Sequence, residues 1–257
     1  MLPLYDENKS RTRPVITWTL IVINVLVFAW QLTQGLLFNS EQSWIDVVRF
    51  GTIPLDIVSG ESTAASYYLN RPLGFPWPWV TIITSMFMHA GILHIVGNML
   101  FLFVFGDNVE DRFGHIKYLV LYLGFGACGA LANSWMVAQP AEGLPLDPRV
   151  NPALIPAIGA SGAIAGVLGA YILLYPTARV VSLVFLGYIA TTARIRAIFF
   201  IGFWFIFQLL PAIVDPFGGN VAYWAHIGGF LAGFIIAIPF RVLAPRVPRR
   251  PLPEYQF

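Results

Sequence analysis

In a chain of 257 residues, 57% of positions are hydrophobic and only 11% carry charge, with a mean hydropathy of +0.71; no ordinary water-soluble domain has that balance. The net charge of +2 is too small to point to a nucleic-acid partner. A lone cysteine, Cys128, excludes an internal disulfide framework. The first apolar run follows a charged segment, continues past signal-peptide length and lacks a small-residue cleavage site, so it is expected to be a retained helix.

A helix advances ~1.5 Å per residue, and crossing a hydrocarbon core of ~30 Å takes about 20 mostly apolar residues. Charge-free stretches run over 14–40, 72–106, 118–141, 150–178, 180–193, 197–214 and 216–240. The stretch 180–193 is too short to cross and is expected to lie at the membrane interface. Six spans remain, with cores near 17–37, 92–107, 117–138, 159–175, 195–214 and 222–240. The expected fold is an all-α membrane protein, a bundle of six transmembrane helices over 17–240, flanked by a cytoplasmic N-terminal segment (1–16) and a basic, Pro-rich cytoplasmic tail (241–257). Neither a second domain nor an internal repeat is visible.

Positive charge in short flanking loops sets orientation. With the N-terminus inside, Lys9, Arg11, Arg13, Arg112, Lys117, Arg179, Arg194, Arg196, Arg241, Arg246, Arg249 and Arg250 face the cytoplasm and only Arg49, Arg71 and Arg149 face outward, a split of 12 to 3. The second, fourth and sixth spans then enter from the outer face. Between the first and second spans, residues 38–91 carry Pro54, Pro72, Pro76 and Pro78 among Phe75, Trp77, Trp79, Met86, Phe87 and Met88. An apolar, helix-interrupted loop rich in aromatics is expected to be partly embedded at the membrane surface.

Polar residues inside apolar spans are expensive to bury and usually have a partner or a task. Here they gather at one depth. His94 and Asn98 lie four apart on one face of the second span, Ser161 opens the fourth, and His226 lies in the first turn of the sixth. Down the fourth span run Ser161, Ala165 and Gly169, with Gly162, Gly166 and Ala170 beside them; down the sixth, His226 heads Gly229, Gly233 and Ala237. Small residues at these spacings let membrane helices approach closely, which would bring a hydroxyl to a base able to take its proton. Free backbone N–H groups at the head of the fourth span, with the His94 and Asn98 side chains, are donors suited to a developing oxyanion. No Asp or Glu lies in the spans at this depth, and Asp215 sits in a loop, so a Ser–His dyad without the usual third carboxylate is expected.

With these residues in view, the chain resembles the rhomboid family of intramembrane serine proteases. The resemblance rests on His89-Ala-Gly-Ile-Leu-His94-Ile-Val-Gly-Asn98, on Glu110-Asp-Arg112-Phe-Gly114, on Gly159-Ala160-Ser161-Gly162, and on Ala225-His226-Ile-Gly-Gly229 followed by Gly233. These cover about 85 to 240 in the family's order. The family implies a six-helix core that cleaves single-span membrane proteins near the outer face, with no metal and no organic cofactor, within the lipid bilayer. By the same resemblance Ser161 is the nucleophile, His226 the base, and His94 and Asn98 with the Ser161 amide form the oxyanion hole. Gly159, Gly162, Gly166, Gly229 and Gly233 are helix-packing positions, and Glu110 and Arg112 a structural pair. Some members place a Tyr four residues after the serine, stacked on the catalytic histidine; this chain has Ala165, leaving Tyr223 and Trp224 as candidates to support His226. The short termini fit a bacterial plasma-membrane form better than an organellar one.

Five blander readings compete. A serine among glycines is, taken singly, more often a packing residue, and His89 fits a loop histidine that caps a helix start. A zinc site on His89, His94 and His226 lacks a His-Glu-x-x-His pattern and any nearby carboxylate or cysteine. A transporter would show two matching halves with interrupted helices. A catalytically inactive rhomboid-like protein that binds membrane-protein clients is the main alternative, and it would be expected to lack Ser161 or His226.

Overall fold

The computed structural model describes residues 1–38, 40–69, 78–147, 149–215 and 221–243. Pro72, Phe75, Pro76 and Trp77 of the loop, and the basic tail beyond Leu243, lie outside them. In chain order the elements are β1 (Leu2–Asp6), α1 (Val15–Thr33), four short loop helices α2 (Glu41–Phe50), α3 (Pro54–Ser59), α4 (Thr63–Leu69) and α5 (Pro78–Thr84), then α6 (Ile92–Phe113), α7 (His115–Ala138), α8 (Ser161–Leu174), β2 (Arg179–Leu186), β3 (Ile189–Arg196), α9 (Ala197–Val214) and α10 (Tyr223–Leu243). Each expected span core coincides with a helix. Five of these, α1, α6, α7, α9 and α10, are long and apolar enough to cross a membrane. The sixth, α8, has 14 residues and so rises about 21 Å, short of a full hydrocarbon core.

That short helix is the centre of the bundle. Every residue from Gly162 to Tyr171 is buried, because α6, α7, α9 and α10 all pack around α8. Enclosure on all sides explains a sequence with no polar stripe, Gly-Ala-Ile-Ala-Gly-Val-Leu-Gly-Ala, and a high share of small residues. A Cβ at Gly229 or Gly233 of α10 would collide with the carbonyl oxygens of Gly162 and Gly166. The two helices therefore touch backbone to backbone, a separation only glycine permits.

Residues 180–193 do not lie at the interface as a lone segment: 179–186 and 189–196 form an antiparallel hairpin paired from Arg179↔Arg196 to Leu186↔Ile189, and β1 joins its other edge with Leu2 opposite Leu183 and Asp6 opposite Val180. β-branched residues at 180, 181, 184, 191, 192 and 195 favour extended backbone, and Gly187, at φ 63, opens the two-residue turn. The helical bundle thus carries a three-stranded sheet at the end opposite Ser161.

At that same end Glu110 and Arg112 do not pair with each other but tie separate helices. The Glu110 carboxylate accepts from Ile16 N–H at 2.9 Å, Thr17 N–H at 2.8 Å and the Thr17 hydroxyl at 2.7 Å. It thereby caps the N-terminus of α1, which has no side-chain cap of its own. The His115 ring nitrogen Nδ1 lies 2.5 Å from the same carboxylate. Arg112 donates to the Phe240 carbonyl and Arg241 to that of Leu173, closing α10 onto α6 and α8.

Asp6 of β1 receives the Tyr171 hydroxyl from α8 and the Asn108 amide of α6 at 3.0 Å. Burial, aided by the nearby Asp107 carboxylate, pushes its carboxyl up to about 7. An acid with a raised folded pKa favours the fold while protonated, so its contribution falls as pH rises from the unfolded value near 4 toward 7. Backbone amides of β1 are expected to show lower hydrogen-exchange protection factors at pH 8 than at pH 6, and Asp6→Asn to remove most of that difference.

Candidate active site

The chain enters α8 through a buttressed turn that requires glycine. Gly159 sits at φ 127, a conformation L-side chains rarely adopt, and a Cβ there would lie 2.8 Å from Cε1 and Nε2 of His94. Its N–H donates to the Ser85 carbonyl at 2.8 Å. Two residues earlier, Ala157 exchanges a pair of backbone hydrogen bonds with Thr52, at 3.0 and 2.8 Å, and the Thr52 hydroxyl lies 2.8 Å from the Ser85 hydroxyl. The loop between α1 and α6 therefore braces the segment that aims Ser161.

Ser161 is the first residue of α8, behind an Ala160 cap that offers no side-chain hydrogen bond. The first intrahelical bond runs from Ile164 N–H to the Ala160 carbonyl, so the amides of Ser161, Gly162 and Ala163 precede the helical ladder and point out of its positive end. Across the glycine contact, α10 carries His226 to the same level. Its Nε2 lies 2.7 Å from Ser161 Oγ, hydrogen-bond distance for transfer of the hydroxyl proton.

His94 and Asn98 come from α6. The Ala90 N–H donates to His94 Nδ1 at 3.3 Å, which leaves the proton on Nε2, the ring nitrogen beside Gly159, two residues before Ser161. One turn along the same face, Asn98 is buried and its Nδ2 has no hydrogen-bond partner. A buried amide donor left unpaired costs about 1–3 kcal/mol, a penalty that an incoming oxygen would relieve.

His89 does not cap α6, whose N-cap is Gly91 without a side-chain bond. Its backbone is clasped by the Gln31 carboxamide of α1, through N–H to Oε1 at 2.9 Å and Nε2 to C=O at 3.1 Å. Its fully buried ring stands edge-on to His94 at 5.1 Å. Burial and the neighbouring His94 push it down to about 4, so it is neutral near pH 7.

Two residues that sequence reasoning passed over surround His226. Trp204 of α9 packs at 6.0 Å, tilted 38° to the imidazole, and Gln208, one turn further, brings its Oε1 to 2.8 Å from His226 Nδ1. Of the aromatics expected to support the ring, Tyr223 stands edge-on at 6.4 Å; Trp224 packs elsewhere, against the cluster around Val137 and Ala153. Ala165, buried in α8, offers no ring of its own. A lone Gln in an apolar span has no spacing signal that marks it; its only sign is the polar atom itself at membrane depth.

The rhomboid domain model matches residues 76–242. Among curated relatives, the chain is 27% identical over 245 residues to rhomboid protease GluP of Bacillus subtilis (strain 168), covering 92% of this chain and 38% of that protein. It is 34% identical over 154 residues to RHOMBOID-like protein 12, mitochondrial, of Arabidopsis thaliana, covering 58% and 43%. It is 24% identical over 181 residues to the putative rhomboid protease YdcA of Bacillus subtilis (strain 168), covering 70% and 75%. The chain spans about two fifths of the length of the first two. A family match over most of the helical bundle, with several helices apolar and long enough to cross a bilayer, makes this chain a multi-pass membrane protein of the rhomboid family.

Proposed function

We propose that the chain is an intramembrane serine endopeptidase that cleaves transmembrane segments of other, single-span membrane proteins by a Ser161–His226 dyad. The observation that carries this reading is the 2.7 Å separation of Ser161 Oγ and His226 Nε2 at the touching heads of two buried helices. Ser161 Oγ attacks the scissile carbonyl carbon as its proton passes to Nε2. The developing oxyanion is met by the Ser161 N–H, Asn98 Nδ2 and His94 Nε2. On collapse, the Nε2 proton goes to the departing amine nitrogen, leaving an ester on Ser161. Water then attacks that ester, with His226 acting again as base. Neither metal nor organic cofactor enters these steps.

The 12 to 3 distribution of Lys and Arg supports cytoplasmic termini, with the site opening toward the outer face of a cell membrane. A helical substrate hides its carbonyls in its own hydrogen bonds, so a segment containing helix-breaking residues is the favoured target. The test is reconstitution into liposomes with a single-span substrate carrying a Gly-Ala pair near its outer end, and mapping of the product termini. Cutting at that end supports the proposal; an intact substrate beside well-folded, correctly inserted protein opposes it, as does a cut in the opposite half of the span. In the same vesicles Asn98→Ala is expected to lower kcat by about 10²-fold with little change in KM, the usual effect of losing one oxyanion donor. An unchanged rate in the Asn98→Ala, His94→Ala double variant would remove both residues from the mechanism.

A further inference from the structure

Gln208 of α9 makes two hydrogen bonds that together fix its orientation. Nε2 donates to the Trp204 carbonyl at 3.1 Å, and Oε1 faces His226 Nδ1 at 2.8 Å. A flipped amide would set an acceptor against the Trp204 carbonyl, so the assignment follows from the network. An amide oxygen only accepts, so Nδ1 must carry the proton and Nε2 must present its lone pair to Ser161. We propose that Gln208 is a positioning residue that takes the place of the third member of a triad, holding the His226 ring in its Nδ1–H tautomer and in line with Ser161. This inference rests on the protease reading above.

A reason for such a device lies in the surroundings. Trp204 packs against one side of the ring and Tyr223 meets it edge-on, while Ala165 provides no ring four residues after the serine. Packing alone leaves both tautomers open, and only a polar partner at Nδ1 chooses between them. A neutral acceptor also avoids placing an ionised carboxylate inside an apolar span. When the Ser161 proton arrives on Nε2, the ring becomes an imidazolium whose Nδ1–H bond to Oε1 strengthens as a charge-assisted contact. The Nδ1 proton stays on Nδ1 throughout, and the Nε2 proton leaves on the amine.

The experiment compares wild-type protein with Gln208→Met, of similar length but without a strong acceptor, and Gln208→Glu, which keeps an acceptor at that reach. Each is purified in detergent, checked by thermal unfolding, and assayed for the rate of Ser161 labelling by a fluorophosphonate and for kcat and KM on the reconstituted substrate. Gln208→Met is expected to label about tenfold to a hundredfold more slowly and to lose kcat by the same factor with KM within twofold, and Gln208→Glu to recover most of the rate. Should Gln208→Met fold poorly, Gln208→Asn, one methylene too short to reach the ring, is expected to show the same loss. Labelling of Gln208→Met within twofold of wild type, or equal loss in the Met and Glu variants, overturns the positioning role. Absence of Ser161-dependent labelling in the wild type instead overturns the protease reading, and this role with it.

Discussion

Ser161→Ala and His226→Ala are each expected to lower the cleavage rate by about 10⁴-fold to 10⁶-fold while leaving the bundle folded. Both side chains belong to a single proton-transfer unit joined by one 2.7 Å hydrogen bond. Removing the base leaves a hydroxyl that is almost never ionised; removing the hydroxyl leaves a base with nothing to activate. The losses should therefore not add: the double variant is expected to be no slower than either single one. Ser161→Ala removes a single oxygen, so its unfolding temperature in detergent should stay close to wild type; His226→Ala removes a buried ring and is expected to lower the unfolding temperature while circular dichroism keeps the wild-type helical content. Additive losses, or an unaffected rate in either variant, would mean that the two residues do not act together.

The second large effect concerns the contact that brings the pair together. Gly233→Leu is expected to destabilise the protein by about 4 kcal/mol or more, enough to prevent accumulation of folded protein. Its Cβ would meet the Gly166 carbonyl, carbon and Cα, backbone atoms of a helix enclosed on all sides, so no rotamer change gives relief. Gly202→Ala in α9 is the control, since a Cβ there has open space; it is expected to leave stability unchanged or slightly improved. The measurement is thermal unfolding in detergent, with expression level as a companion. Equal tolerance of the two substitutions would show that α8 and α10 do not meet at these glycines.

Much of the frame is legible in the residues. Charge-free runs locate the long helices because bilayer thickness fixes their length, and glycines and alanines at spacing four mark the faces where α8 and α10 approach. Ser161 and His226 fall at the heads of those faces. The sheet is not legible in the same way: in so apolar a chain, a charge-free run of 14 residues is read first for its length, and the β-branched content of 180–195 is overshadowed. The separate duties of Glu110 and Arg112 escape for another reason. Glu110 caps a helix 93 positions away in sequence, and Arg112 seeks the Phe240 carbonyl; tertiary capping leaves no local trace. Gln208 escapes because a single amide has no period. His226 supplies the need for a partner at Nδ1, but only three-dimensional proximity names the residue that meets it.

The most direct test treats folded, detergent-purified protein with a fluorophosphonate and maps the modified residue by mass spectrometry. Covalent labelling on Ser161, absent from Ser161→Ala and strongly reduced in His226→Ala, is the predicted result. A folded protein that takes no label, or takes it at another residue with Ser161 untouched, would contradict the assignment of this site as a serine hydrolase centre.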